Sequence, residues 1–170
     1  MSHQPKVIPD PYEFARRGDT LTGEAELAAF PRLLSEVRKG GAGQHVAYTL
    51  HGYQLDAKSF VDIQATAELV MTCRRCMGDV PCTVEADSRL MLVPPGEALP
   101  DDGLEDDDFD PMHVWRDFDV LAAVEEEVLL ALPLAPTHDD CKMPVARGNG
   151  DESSPFAVLR GLKTPGASNT

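Results

Sequence analysis

VDIQATAELVMTCRRCMGDVPCTVEADSRLML, residues 61–92, decides what kind of fold this chain can adopt. Val61, Ile63, Ala65, Ala67, Leu69 and Met71 share one parity, while Asp62, Gln64, Thr66 and Glu68 take the other. Side chains alternate across a strand, so this pattern predicts a long strand with one buried and one wet face. After the break at Cys73–Asp79 the alternation resumes. Val80, Cys82, Val84, Ala86, Leu90 and Leu92 oppose Thr83, Glu85, Asp87 and Arg89. Two such runs around a short turn predict an antiparallel hairpin with Cys-Arg-Arg-Cys at its tip.

Downstream, FDVLAAVEEEVLLALPLAPTHDDC at 118–141 changes period. Val120, Leu121, Val124, Val128, Ala131 and Leu132 recur at three-and-four spacing, which predicts an amphipathic helix over 120–132. Asp119 is placed to cap its first amides, and Pro133 cannot continue it. Glu125, Glu126 and Glu127 are expected as an acidic ridge away from the core.

Upstream, Asp10-Pro11 opens and Gly18 closes a short helix, with Arg16 and Arg17 as a small basic spot at its end. Thr20 to Leu27 alternates weakly as a strand, and Pro31 to Lys39 reads as a second short helix before Gly40-Gly41. Val46, Tyr48 and Leu50 form a further strand that ends near Gly52, with a turn at Asp56–Ser59. Residues 94–111 collapse into prolines, glycine and carboxylates, the composition of a flexible acidic loop. The chain therefore divides into one domain over 1–143 and a flexible tail over 144–170. Within the tail, 155–163 carries Phe156, Leu159 and Leu162 at helical spacing, as a short docking segment.

Composition narrows the function classes. A hydrophobic content of 42% suits a folded core, but aromatics at 6% make that core aliphatic. The net charge of −14 argues against broad electrostatic capture of nucleic acid, and no DNA partner is expected. The acid is uneven, with eight carboxylates and no Lys or Arg between Arg89 and Arg116. Residues 1–11 have no apolar core of a signal peptide, and no apolar run approaches the roughly 18 residues that span a bilayer. A cytosolic protein with reduced thiols is the expectation.

Cys73 and Cys76 have the spacing of a zinc knuckle, in which a tight turn holds two thiolates on one ion. His138 and Cys141 supply a second pair if the helix returns them to the hairpin tip. A structural zinc on Cys73, Cys76, His138 and Cys141 is the expected cofactor. Cys82 shares parity with Val80 and Val84 and is expected in the core. A redox CxxC would precede a helix that lowers its thiol pKa, whereas here a strand follows. Nucleotide-binding glycine motifs, HExxH and GxSxG are all missing from the sequence, so nothing proposes an enzyme.

Three stretches in order, LVMTCRRCMGDV, DVLAAVEEEVLLALPLAPTHDDC and PFAVLRGLK, resemble the YceD family of large ribosomal RNA subunit accumulation proteins. The likeness runs over roughly residues 5–163. Cys73, Arg75 and Cys76 match the family's cysteine turn. Glu126, Leu129, Leu130, Leu132 and Pro133 match its helix motif, and Cys141 its trailing cysteine. Many relatives carry more cysteines after the helix, where this chain has His138 and one Cys. The resemblance implies a small bacterial cytosolic protein needed for accumulation of 23S ribosomal RNA, with no catalytic activity; related plastid proteins are associated with RNA maturation.

The expected fold is α+β: a small antiparallel sheet, partly barrel-like, packed by one main helix, with short N-terminal helices. The expected function is a ribosome-biogenesis factor that supports synthesis, processing or stable accumulation of 23S rRNA. Its partner is large-subunit rRNA or an assembly or processing protein, with Arg74, Arg75, Arg16 and Arg17 as contacts. The alternative is an acidic adaptor that binds a basic ribosomal or processing protein.

Overall fold

The computed structural model describes residues 6–38, 44–100 and 109–144. The docking segment at 155–163, Gly40-Gly41 and the acidic run at 101–108 lie outside them. The elements in chain order are β1 (Val7–Ile8), α1 (Pro11–Arg17), β2 (Thr20–Glu26), α2 (Pro31–Glu36), β3 (His45–Leu55), β4 (Lys58–Thr72), β5 (Asp79–Val93), β6 (Asp110–His113), β7 (Phe118–Asp119) and α3 (Val120–Leu130).

The fold is α+β, as the sequence predicts, and the long hairpin is its frame. β4 and β5 pair antiparallel from Ser59↔Leu92 to Thr72↔Asp79, with the cysteine turn at the tip. β3 joins β4 through a two-residue loop, Asp56-Ala57, whose φ angles of 50° and 64° are those of a hairpin turn matched to strand twist. β3 runs on to Leu55, past the expected end at Gly52. Gly52 has a packing reason: a Cβ there would lie 2.6 Å from Phe14 Cδ1 and 2.9 Å from Ala15 Cα, so α1 rests directly on the strand.

The sheet order is β2-β3-β4-β5-β6, and the sheet is open rather than barrel-like, since β2 and β6 lie at opposite edges. It is also not wholly antiparallel. Asp110 and Pro111, assigned to the acidic loop by composition, begin β6, which pairs parallel to Leu90–Val93. A four-residue strand holding a proline has too little pattern to be legible, and proline is tolerated because β6 is an edge. β1 and β7 form a separate two-stranded ribbon, also unsignalled in the sequence.

The aliphatic core lies on one face, where Val61, Ile63, Ala67 and Leu50 meet Val120, Val124 and Val128 of α3. Asp119 caps α3 by accepting from the Ala122 amide at 2.9 Å. The other face carries a smaller cluster of Phe60, Met91 and Val93 with Tyr53 and Phe109. Cys82 packs against the core but is only half-buried.

The acidic ridge on α3 needs correction. Glu126 is exposed, but Glu125 and Glu127 are buried, at 5% and 9% exposure. The α2 helix begins at Pro31 with no side-chain cap from Phe30. Its orphan amides at Arg32 and Leu33 instead donate to Glu125 Oε1 at 2.7 and 3.1 Å. The Arg32 guanidinium reaches both Glu125 and Glu126, at 3.1 and 2.6 Å. A carboxylate on one helix thus caps another, which the periodicity of α3 cannot reveal.

Candidate metal centre

The turn after β4 is built to present sulfur. The Cys73 amide donates to the Gly78 carbonyl at 2.8 Å and Met77 donates back to Cys73 at 2.9 Å, closing the loop. Met77 takes a left-handed φ of 63°. Inside it, the Arg75 and Cys76 amides approach Cys73 Sγ at 3.4 and 3.5 Å. N–H donors aimed at sulfur favour the thiolate, the form that binds metal.

The segment after α3 closes over this turn. Pro133 ends the helix, and the Pro136 carbonyl accepts from the Arg74 amide at 2.8 Å. That bond carries the chain back across the hairpin tip, so His138 and Cys141 arrive beside Cys73 and Cys76. Cys73 Sγ and Cys141 Sγ are 3.6 Å apart; Cys76 Sγ and His138 Nδ1 are 3.4 Å apart. All four donor atoms lie within 4.8 Å of one another. Tetrahedral ligands on one zinc would be separated by about 3.8 Å for S···S and 3.6 Å for S···N, from bond lengths near 2.3 and 2.05 Å. The four side chains predicted from spacing are brought together, and they fit one metal ion.

The histidine is held in the required tautomer. His138 Nε2 lies 2.8 Å from the Asp79 carbonyl, which can only accept. Nε2 therefore carries the proton in neutral imidazole and Nδ1 keeps its lone pair towards the cysteines. The Asp79 carbonyl, followed by Cys73, pushes the His138 pKa up. Burial raises Cys73, but backbone hydrogen bonds from Cys76, His138 and Arg75 outweigh it and bring the thiol to about 5. Cys141 moves the other way, raised by burial and by its hydrogen bonds to Cys73 and Cys76. A metal cation bound among these sulfurs would take the place of their protons.

Of the arginines, Arg74 is exposed at the tip. Arg75 turns inward, its Nη1 facing the His138, Asp139 and Cys141 carbonyls at 3.3, 3.5 and 3.2 Å. It ties the two ligand pairs together, a role that the sequence does not signal. At the opposite end of the molecule Arg16 pairs with Glu13, and Arg17 with Asp19 at 3.5 Å. The basic spot on α1 is charge-compensated.

The family model described as large ribosomal RNA subunit accumulation protein YceD matches residues 61–163. The chain belongs to the YceD family. The match begins in β4 and includes all four donors and α3, whereas α1 to β3 precede it. Within this YceD chain the hairpin, the helix and the returning segment make one unit, and the cysteine turn is its clasp. No solved structure matches the chain.

Proposed function

We propose that the protein is a non-enzymatic, cytosolic ribosome-biogenesis factor that supports synthesis, processing or stable accumulation of 23S rRNA. The observation that carries this reading is the YceD match over the same residues that build the donor cluster. Zinc is the metal that suits the cluster, because three thiolates and an imidazole are a soft tetrahedral set. Four protein donors fill that coordination shell, which supports a structural ion rather than one with an open catalytic position. The ion would hold the segment after α3 on the hairpin.

A second observation favours action through a protein partner. Of the four arginines expected to contact RNA, Arg16 and Arg17 are paired with acids and Arg75 is engaged with carbonyls. Arg16 and Arg17 are exposed but charge-paired, so of the four only the Arg74 guanidinium has neither an acid nor a carbonyl partner among the described residues, and one guanidinium gives little phosphate affinity. A chain of net charge −14 is suited to hold a basic ribosomal or processing protein. The test is crosslinking in cells of a bacterial strain whose own copy is deleted and replaced by this chain. Attached RNA is sequenced and attached proteins are identified while 23S rRNA is measured. Unchanged 23S rRNA in the deletion strain would remove the function; RNA crosslinks without a protein partner would replace the adaptor reading with direct contact.

A further inference from the structure

The three thiols of the cluster are not equivalent. Cys73 is buried and Cys141 half-buried, and their sulfurs face each other at 3.6 Å. Cys76 is turned to His138 Nδ1 at 3.4 Å, with Gly78 so near that an added Cβ would lie 3.4 Å from its sulfur. The Cys73–Cys141 pair spans the clasp. Cys73 directly follows β4, and Cys141 stands 68 residues later in the segment after α3. Disulfide sulfurs lie about 2.05 Å apart, so these two would close by about 1.5 Å, within reach of side-chain rotation. Cys82 stands outside the group of four donors, its sulfur 3.8 Å from the Val80 carbonyl.

We propose that Cys73 and Cys141 form a reversible disulfide that replaces the metal in the presence of a peroxide, so that the clasp has a metal-closed and a sulfur-closed form. The inference rests on the zinc reading above and adds a redox response to that site. The half-buried Cys141 thiolate attacks one peroxide oxygen, breaks the O–O bond and becomes a sulfenic acid, with hydroxide leaving. The Cys73 thiolate then attacks the Cys141 sulfur, forms the S–S bond and expels a second hydroxide. Two thiolates lose two electrons in all, and the peroxide takes up both as it becomes two hydroxides. Only Cys76 and His138 remain as donors, too few to fill a closed tetrahedral shell. The segment after α3 nevertheless stays in place, because the new bond ties the same two segments. The Arg74 amide on the Pro136 carbonyl and the Arg75 guanidinium on the Cys141 carbonyl, at 2.8 and 3.2 Å, keep Cys141 beside Cys73 during the exchange. A Cys73–Cys76 bridge would do the opposite: it would lie within one turn and leave His138 and Cys141 untethered.

The experiment uses the full chain, purified without chelator, treated with rising amounts of hydrogen peroxide and quenched with iodoacetamide. Released zinc is read with a colorimetric chelator, and bridged peptides are mapped by mass spectrometry. Trypsin cleaves after Arg74 and Arg75, which separates Cys73 from Cys76 and identifies the bridged partner. About one zinc should be released for each Cys73–Cys141 bridge formed, with Cys76 and Cys82 left as alkylated thiols. A dithiol reductant with added zinc should reverse both changes, and Cys82→Ser should respond as the wild type does. The Arg74 amide should exchange with deuterium more slowly in the oxidised protein than in reduced protein stripped of metal. A bridge to Cys76, zinc release with sulfinic acids only, zinc retained at peroxide levels that oxidise free cysteine, or Arg74 exchange as fast as in the stripped protein would overturn the inference and leave the zinc reading standing. Absence of zinc before peroxide is added would overturn the zinc reading, and the inference falls with it.

Discussion

His138 hydrogen-bonds through Nε2 to the backbone carbonyl of Asp79 at 2.8 Å, which leaves Nδ1 aimed at the cysteine cluster. Asp79 is the first residue of β5, so the strand that forms the hairpin also selects the tautomer of the ligand. Protein purified without chelator should contain close to one zinc per chain, measured by plasma mass spectrometry. Nitrogen NMR should find Nε2 protonated and Nδ1 metal-bound. His138→Ala should weaken retention, and Cys73→Ser should abolish it. A metal content near zero with wild-type stability would leave the four residues without this role.

Arg75 and Arg74 are adjacent but should behave differently. Arg75→Ala removes the donor that gathers the carbonyls of His138, Asp139 and Cys141. Outer-shell losses of this kind typically weaken metal binding by about 10–100-fold. Transfer of zinc to a colorimetric chelator should therefore be faster in Arg75→Ala and unchanged in Arg74→Ala. Equal rates for both variants would mean that the inward guanidinium does not hold the site.

Glu125 and Glu126 offer a second matched pair. Glu125→Ala strands two α2 amides, which should cost about 1–3 kcal/mol and lower the melting temperature by several degrees. Glu126→Ala removes an exposed contact to Arg32 and should change stability by less than about 1 kcal/mol. Val124→Asp, at a position fully buried beside them, should cost several kcal/mol and threaten folding altogether. Thermal melts of the three variants in one buffer rank these effects directly.

Glu127 sets a pH dependence of opposite sense to that of an ion-paired carboxylate. Burial, followed by the charges of Asp110 and Glu126, raises its pKa above 4.5, partly offset by the nearby Ser88 hydroxyl. The folded state then binds its proton more tightly than the unfolded state does. That stabilisation is complete below about pH 4.5 and is lost as pH rises through the folded pKa. Glu127→Gln should therefore raise the melting temperature at pH 7 and change it little at pH 4. A lower melting temperature at pH 7 would show that the ionised carboxylate has a partner that stabilises it.

How much of this was legible in the chain itself follows the range of each interaction. The β4–β5 hairpin was readable because a period of two over many residues is a local pattern, enforced by burial of one face. The limits of α1 and the start of α3 were readable for the same reason: Asp10, Gly18 and Asp119 act within a turn of their own positions. The four ligand types were visible as two spaced pairs and their meeting was expected from them, but the contacts that bring it about were not legible. The meeting depended on the chain's return after Pro133, pinned by the Pro136 carbonyl and the Arg75 fork. Burial of Glu125, the inward turn of Arg75 and the pairing of β6 have no sequence period at all. Each is decided by a partner far along the chain, Arg32 for Glu125, Cys141 for Arg75 and Leu90–Val93 for β6. Sequence determined the elements and the donor chemistry; tertiary structure decided which polar groups would face one another, because those bonds form only after distant segments pack.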